Sequence, residues 1–279
     1  MTNEMERLLA TFAEYGYEME TSEVYKNGKC LTAIFPANTK NSTVRPVAYL
    51  EYLVESLNEK TYGEIVEETI EMLSKHMPEN ASNIMTKVLN PANLRLGIRA
   101  KSEQPGIKIP YLDLEVYVYS KLNDNASTVL HEEHLSLFNM TKQKLIEVAT
   151  INTRTELVAG NLMNVMLGFD TYKNVDTFDF GNVKPPMFIV TTKGNLRGAI
   201  ALFYNDVMGN IAHMIDSDLL IIPSSTEEII VIELPDSADI AEMTSFIMNT
   251  NANHVRPEEV LANHPYVFRR TLGVVTYEN

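Results

Sequence analysis

The chain has 279 residues, of which 45% are hydrophobic and 22% charged; this is a globular composition and excludes overall disorder. Its 23 basic and 37 acidic residues give a net charge of −14, which argues against nucleic acid as a partner because phosphate binding depends on Lys and Arg. The single cysteine, Cys30, excludes an intrachain disulfide or a cysteine zinc cluster and suits a reducing cell interior.

The N-terminal stretch MTNEMERLLATFAEYGYEME predicts a cytoplasmic protein. It carries Glu4 and Glu6 where a signal peptide needs basic residues, and it lacks the apolar segment that export requires. No apolar run elsewhere approaches the length of a membrane span. We therefore expect neither a membrane anchor nor a membrane partner.

Helical and hairpin signals fill the first 91 residues. An apolar stripe predicts a helix over residues 3–15, and Asn27-Gly28 predicts a two-residue turn between strands near 20–26 and 29–35. The segments AYLEYLVESL, TYGEIVEETIEMLSKHM and NASNIMTKVLN then predict three helices. The second of these has an apolar stripe ending at Met77 and an opposite acidic face, which consists of Glu64, Glu67, Glu68 and Glu71.

The periodicity changes to two after Pro91. NLRLGIRA and YLDLEVYVYS alternate apolar and polar residues, which predicts two strands with one buried face. Residues 121–130 are rich in Asn, Asp and Ser and predict a connector between two lobes. We therefore predict an N-terminal lobe of residues 1–125 and a C-terminal lobe of residues 126–279, with one compact domain as the alternative.

The C-terminal lobe is predicted to mix helices and strands. TKQKLIEVATINTRTELVAGNLMNVML is helical, in one or two pieces, and residues 168–186 form a long loop. Strands MFIVTT and GAIALFY, a helix near 205–215, strands LLII and IIVIEL, a helix near 237–249 and a final strand RTLGVVT follow. This order predicts an α+β fold of two packed lobes, each a mostly antiparallel sheet with helices on one face.

The stretch LLIIPSSTEEIIVIEL, residues 219–234, raises the question whether one of its serines is a nucleophile. A nucleophile elbow needs glycines on either side of the serine to turn sharply, and none flanks Ser224 or Ser225. A capping box at Ser225 to Glu228 would begin a helix, but the β-branched residues that follow favour a strand. We interpret the segment as a hairpin connection and keep Ser224, Ser225 and Glu228 as binding candidates only.

Two carboxylates beside tyrosines are the other candidate site. Asp113 and Glu115 are two apart on a predicted strand, which places their side chains on one face about 7 Å apart. That spacing suits an acid and base pair or a shared metal ion, and Tyr117 would line the same pocket. The structural alternative is that Arg95 and Arg99 neutralise the two carboxylates across the strands.

Metal and cofactor motifs are weak or missing in the sequence. His131 and His134 in HEEHLSLF are three apart, whereas the zincin pattern separates its histidines by four. A surface helix start is the simpler interpretation. There is no Gly-x-Gly-x-x-Gly and no Walker loop. We therefore predict no metal and no cofactor.

Several stretches together resemble a domain-of-unknown-function family of anaerobic gut bacteria, their phages and other mobile elements. They are VYKNGKCLTAIF, VRPVAYLEYLVE, KVLNPANLRLG, IPYLDLEVYVY, KQKLIEVATINT and, above all, the tail from VTTKGNLRGAIALFYNDVM to EEVLANHPYVFRR. In that tail, Pro223, Ser224, Ser225 and Glu228 occupy the places of a Leu-Pro-Ser-Ser-x-x-Glu motif. The resemblance implies an α+β fold and an intracellular role, and it transfers no catalytic residue.

The chain also departs from that family pattern. It lacks a His-Arg pair before YLDLEVYV and a tryptophan in HEEHLSLFNMT. If the family uses those residues in a site, this chain has lost it, as a phage or plasmid copy would.

Two functional hypotheses follow from the sequence. The leading one is a non-catalytic cytoplasmic protein that binds or regulates a protein partner, encoded by a phage or mobile element. The alternative is an enzyme or small-ligand binder whose pocket lies at the lobe junction, formed by Asp113, Glu115, Tyr117 and the 168–186 loop. Homo-oligomerisation through the edge of the C-terminal sheet is left open.

Overall fold

The protein has an α+β fold, as the sequence predicts. A computed structural model describes residues 2–277 except 27–28, 41–44, 76–80, 103, 105, 124–125, 170–171 and 236. The described strands form three sheets, of three, seven and four strands. The chain divides into two compact units, Met1–Lys87 and Val88–Asn279, so the division falls at a different position from the predicted lobe boundary near residue 125.

The first unit combines helices with a three-stranded sheet. Its elements are α1 (Asn3–Glu14), β1 (Met19–Lys26), β2 (Lys29–Pro36), β3 (Ala48–Tyr49), α2 (Leu50–Glu55), α3 (Tyr62–Lys75) and α4 (Ala81–Val88). The strand order is β1-β2-β3. Lys26 pairs with Lys29, which agrees with the predicted hairpin, but its predicted turn at Asn27-Gly28 lies outside the described residues.

The core of the first unit lies between its helices and β2. Leu8 and Phe12 of α1, Ile34 of β2, and Ile65 and Leu73 of α3 are all buried in one cluster. The predicted amphipathic character of α3 is confirmed, since its four glutamates are exposed while Ile65 and Leu73 are buried. Met77, predicted on the apolar stripe, lies outside the described residues.

The second unit begins with the four-stranded sheet. It consists of β4 (Leu94–Ala100), β5 (Lys108–Tyr111), β6 (Leu114–Asn123) and β7 (Ala126–Val129). β4 pairs along one edge of β6, and β5 and β7 pair along the other. The predicted connector over residues 121–130 is therefore wrong, because most of it belongs to the β6–β7 pair.

The second unit continues with a seven-stranded sheet of order β14-β13-β11-β12-β10-β8-β9. Its strands are β8 (Leu157–Asn161), β9 (Lys173–Asn174), β10 (Met187–Thr192), β11 (Leu219–Ile222), β12 (Ile229–Glu233), β13 (Tyr266–Arg269) and β14 (Val274–Thr276). The helices are α5 (Leu135–Phe138), α6 (Lys142–Arg154), α7 (Leu162–Met166), α8 (Asn205–Ile215) and α9 (Ile240–His254). In the part of the chain that the structure describes, no helix is long and apolar enough to cross a bilayer.

Two predicted elements of the second unit are wrong, and a third, the predicted strand that becomes β6, is buried on two faces instead of one; extensive burial is common to all three. GAIALFY, predicted as a strand, contains the 3₁₀ helix Gly198–Phe203, whose first five residues are all buried. β8 lies inside a segment predicted to be helical, and four of its five residues are buried. Both faces of β6 are buried along residues 114–120, where one exposed face was expected. A segment buried on every side loses the alternation that marks a strand or a helix.

Two predicted strands are hairpins. YLDLEVYVYS contains a tight turn at Leu112-Asp113 between the paired residues Tyr111 and Leu114, with Leu112 at a positive φ of 52°. The segment RTLGVVT, predicted as one strand, consists of a turn followed by β14. The strand that pairs with β14, β13, is not predicted by the sequence pattern. Neither turn has an Asn-Gly or Asp-Gly signal, so the sequence pattern predicts an unbroken strand at each of these places.

Gly198 lies so close to β10 that a larger residue at this position should destabilise the protein. A Cβ atom on Gly198 would stand 2.5 Å from the carbonyl oxygen of Glu227 and closer still to Thr191. We expect Gly198→Ala to lower the free energy of unfolding by about 3 kcal/mol, because backbone on both sides prevents relaxation. Denaturant unfolding would measure the change.

Gly209→Ala is the matched control. Gly209 lies inside α8, and the nearest atom to its added Cβ would be Cζ of Phe268, at 3.5 Å, an ordinary contact. This substitution should raise the free energy of unfolding by about 0.5–1 kcal/mol. Equal effects of the two substitutions would contradict the steric explanation.

Candidate functional site

One face of the four-stranded sheet is polar and yet buried. The antiparallel register of β4 and β6 sets Arg95 opposite Tyr119, Gly97 opposite Tyr117 and Arg99 opposite Glu115. These residues share one face because alternate residues of a strand point to the same side. The opposite face carries the apolar residues that the sequence predicts, including Leu96, Ile98, Val116 and Val118.

Glu115 is the centre of this polar face. Nε of Arg99 donates to Glu115 over 2.6 Å, Nζ of Lys108 lies 3.1 Å from the carboxylate, and the Ser102 hydroxyl donates over 2.9 Å. The side chains of Arg99 and Glu115 are only 7% and 8% exposed. Burial opposes ionisation of Glu115, but these three donors outweigh it and hold the pKa of the carboxyl below its ordinary value.

Two buried donors beside Glu115 have no acceptor in the part of the chain that the structure describes. Nη1 of Arg99 donates to Oε1 of Gln104 over 2.6 Å, but Nη2 of Arg99 and Nε2 of Gln104 make no hydrogen bond to any described residue. Nε of Arg95 is also buried without an acceptor. The guanidinium of Arg95, however, already donates to Glu156 and to two carbonyl groups. Arg99 and Gln104 therefore form the less satisfied group.

Aromatic rings extend the polar face away from Glu115, and together with two arginines they form a column of Arg99, Tyr117, Tyr119 and Arg197. The guanidinium carbon of Arg99 lies 4.6 Å from the Tyr117 ring centre, and that of Arg197 lies 4.2 Å from the Tyr119 ring centre. Gly97 makes room for this column, since a Cβ atom there would stand 2.5 Å from Cζ of Tyr117. The faces of both rings thus receive a cation, which stabilises the buried charges.

Arg197 joins this column to the 223–228 connection. Its Nη1 donates to the Ser127 hydroxyl over 2.6 Å, and its backbone N–H donates to Oε2 of Glu227 over 2.5 Å. The next backbone N–H, of Gly198, donates to the carbonyl oxygen of Glu227 over 2.8 Å. The connection therefore has a structural role in placing Arg197 over Tyr119.

The serine question has a structural answer. β11 and β12 pair on either side of residues 223–228, so the predicted hairpin connection is confirmed. The Ser224 hydroxyl lies 3.4 Å from Glu228, and the Ser225 hydroxyl accepts from the backbone of Glu227 over 3.0 Å. Burial, with the nearby charge of Glu227, raises the pKa of Glu228. These residues satisfy one another within the connection.

Asp113 lies in a separate group. It occupies the β5–β6 turn, so it does not share a strand face with Glu115 as predicted. Its Oδ2 lies 2.9 Å from Nε2 of His264, and its Oδ1 accepts from the Tyr266 hydroxyl over 2.8 Å. Tyr277 stacks on His264, with ring centres 5.0 Å apart. The group links a turn of one sheet to β13 of the other.

Hydrogen bonds determine the charge states in this group. Burial alone would raise the pKa of Asp113, but the bonds from His264 and Tyr266 hold it below its ordinary value. The same bond to Asp113 raises the pKa of His264. Burial and the Asp113 carboxylate raise the pKa of Tyr266, which keeps its hydroxyl protonated.

The expectation that Arg95 and Arg99 neutralise the two carboxylates is confirmed for Glu115 and wrong for Asp113. Arg99 pairs with Glu115 as expected, whereas Arg95 pairs with Glu156 over 2.7 Å and Asp113 binds His264. In the predicted 168–186 loop, Phe178 and Phe180 pack against Phe188 of β10. The structure thus brings Glu115 and Tyr117 together and places Asp113 apart from them.

No sequence pattern points to Gln104, Lys108, Arg197 or His264. The sequence points to Arg99 through the expected pairing of NLRLGIRA with YLDLEVYVYS, which places arginines opposite carboxylates. His131 and His134 have ring centres 5.4 Å apart. Among the described residues there is no cluster of three His, Cys, Asp or Glu that would hold a metal ion.

Comparison with known proteins identifies a family. The model of the family of unknown function DUF5688 matches residues 1–270, so the chain belongs to that family. No curated protein and no solved structure matches the chain.

The Asp113 group generates a pH prediction. The folded pKa of His264 lies above 6.5, so its stabilisation is complete below that value and is lost as the pH rises through the folded pKa. The folded pKa of Asp113 lies below 3.8, so its stabilisation is present above that value and is lost as the pH falls through the folded pKa. Stability from this pair should therefore be greatest between the two.

Asp113→Asn should flatten that profile and lower the pKa of His264. Unfolding at several pH values and NMR titration of the imidazole would measure both effects. Asp206→Asn is the control, because Asp206 pairs with Arg154, which stays charged over this range. A His264 pKa that stays raised in the Asp113 variant would contradict the assignment.

Proposed function

We propose that this member of the DUF5688 family binds a small molecule through a carboxylate group, which accepts hydrogen bonds from Arg99 and Gln104. The observation that carries the proposal is Nη2 of Arg99, which has no acceptor among the described residues and belongs to a side chain only 7% exposed. Leaving a buried charged donor without an acceptor costs about 1–3 kcal/mol, so proteins normally supply an acceptor from the chain, from an ordered water or from a ligand. Binding, without a chemical step, is the activity that this site supports.

Charge balance favours a carboxylate. Among the described residues, Arg99 and Lys108 bring two positive charges against the one negative charge of Glu115, which leaves an excess of one. A monoanion neutralises that excess, whereas a phosphate dianion would leave negative charge buried beside Glu115. The planar fork of a guanidinium also matches the two oxygens of a carboxylate.

The position of the site permits access. Ser102, Gln104 and Lys108 are half-buried and lie in or beside the segment that connects β4 to β5. Arg99 donates to Gln104, and solvent partly reaches Gln104, so a ligand that contacts Gln104 would also approach Nη2 of Arg99. The Tyr117 ring, itself buried, bounds the site on the side of the sheet.

The second candidate is the protein-binding function that the sequence predicts. The exposed acidic face of α3 supports it, because such a face suits a basic partner. We propose a cytoplasmic, regulatory role of this kind, and the phage or mobile-element origin rests on the sequence resemblance alone. Glu67→Lys with Glu71→Lys should then reduce the recovery of a stoichiometric partner in affinity capture, and unchanged recovery would contradict this candidate.

Gln104→Glu tests the carboxylate site. The substitution replaces an amide donor by a carboxylate oxygen and neutralises the excess charge, so it should abolish the stabilisation by an added carboxylate. Acetate is the probe, and at about 100 times its dissociation constant it should stabilise the parent protein by about 2.7 kcal/mol. Denaturant unfolding with and without acetate measures the effect.

Gln143→Glu is the matched control, because Gln143 is exposed on α6 and the change in charge is the same. This variant should respond to acetate like the parent. Sodium chloride controls for ionic strength, and inorganic phosphate tests the anion class. Equal stabilisation by phosphate would contradict the carboxylate assignment, and no response of the parent to acetate would contradict the site.

A further inference from the structure

An edge of the three-stranded sheet in the first unit has no neighbouring strand. Among the described residues, β1 pairs with β2 alone, so its other edge carries unpaired backbone groups along Met19–Lys26. An open edge of this kind forms backbone hydrogen bonds with an added extended chain. Natural proteins usually protect such edges when they have no partner.

A cleft lies beside the beginning of this strand. It has a volume of about 570 Å³ and lies between α1, which contributes Leu9 and Ala13, and residues 17–21. Met19, Glu20 and Thr21 all line it, although successive residues of a strand point to opposite faces. A lining of three consecutive residues fits a cleft that meets the strand at its edge over residues 19–21. A helix and an edge strand thus form the two walls of a groove.

The groove combines apolar and acidic residues. Leu9, Ala13, Tyr17 and Met19 provide apolar contact area, and Glu18 and Glu20 line the same cleft. Glu18 is exposed, as are Glu14 of α1 and Glu23 of β1, and we call these three glutamates the rim. The first unit as a whole carries fourteen acidic and eight basic residues. An occupant with basic side chains would match this charge.

A second copy of the chain fits the groove less well. Pairing two β1 edges would bring the glutamates of one copy beside those of the other, and like charges opposite one another on paired strands are destabilising. A segment with lysine or arginine on one face and apolar side chains on the other has no such conflict.

We infer that the first unit binds an extended, basic segment of a partner protein as an added strand on the open edge of β1. The backbone of β1 supplies the hydrogen bonds, and the cleft beside α1 receives apolar side chains. The glutamates of the rim select for basic residues. This site lies in a different unit from the carboxylate site, so either can fail without the other.

The test uses the full chain and two synthetic peptides as long as β1, which has eight residues. One peptide alternates lysine and valine, and the other alternates glutamate and valine. Fluorescence anisotropy measures affinity, and hydrogen exchange locates protected amides. We expect the lysine peptide to bind more tightly than the glutamate peptide and to slow exchange over residues 19–26.

Two double variants carry the same change in charge. Glu18→Lys with Glu23→Lys reverses the rim and should weaken the lysine peptide about tenfold, as expected for two exposed charges. Glu55→Lys with Glu59→Lys reverses exposed charges elsewhere in the unit, outside both the groove and the acidic face of α3, and should leave its affinity unchanged. Both variants should unfold at denaturant concentrations close to that of the parent, since all four side chains are exposed.

Several results would overturn the inference. They are no binding of the lysine peptide, equal binding of the two peptides, equal losses in the two double variants, or protection that appears away from β1. If the amides of β1 are protected from hydrogen exchange without peptide and the protein sediments as a dimer, the edge binds a second copy of the chain. That result would also overturn the inference.

Discussion

The buried ion pair between Arg99 and Glu115 is the interaction on which the second unit depends. It allows the four-stranded sheet to be covered on both faces, although one face carries two arginines and a glutamate. Removing two charges from water is costly, and only close geometry with additional hydrogen bonds compensates for it. Lys108 and Ser102 supply those bonds to Glu115, and Tyr117 receives the face of the guanidinium. Nη2 of Arg99 is the part of this arrangement that the described residues do not complete.

Polar contacts also connect the two sheets of the second unit. Arg197 reaches Ser127 of the four-stranded sheet from the segment that follows β10, and Asp113 reaches His264 and Tyr266 at β13. The Tyr111 hydroxyl donates to the carbonyl of Leu202, and burial raises its pKa to about 12, so it stays protonated. Directional bonds of this kind specify one arrangement of the sheets where apolar contact alone would permit several.

The two proposed sites use different physics. The carboxylate site depends on unpaired donors in a buried environment, where each hydrogen bond is strong because water does not compete. The β1 edge depends on exposed backbone groups and on long-range charge, which selects partners and speeds association more than it adds affinity. A protein with both sites would bind a small molecule in one unit and a polypeptide in the other.

The sequence by itself determined the α+β class, the amphipathic helices α1 and α3 and the β1–β2 and β11–β12 hairpins, and it offered Arg99 as one of two arginines that neutralise the carboxylates. All of these rest on local periodicity, turn residues or neighbouring strands, which a single sequence displays. Only the tertiary structure decided that Gly198–Phe203 is a 3₁₀ helix, that Leu112-Asp113 is a turn and that Asp113 binds His264, which is 151 residues away. Residues buried on every side lose their periodic pattern, and a pairing between distant residues depends on how the sheets pack, which no local pattern records.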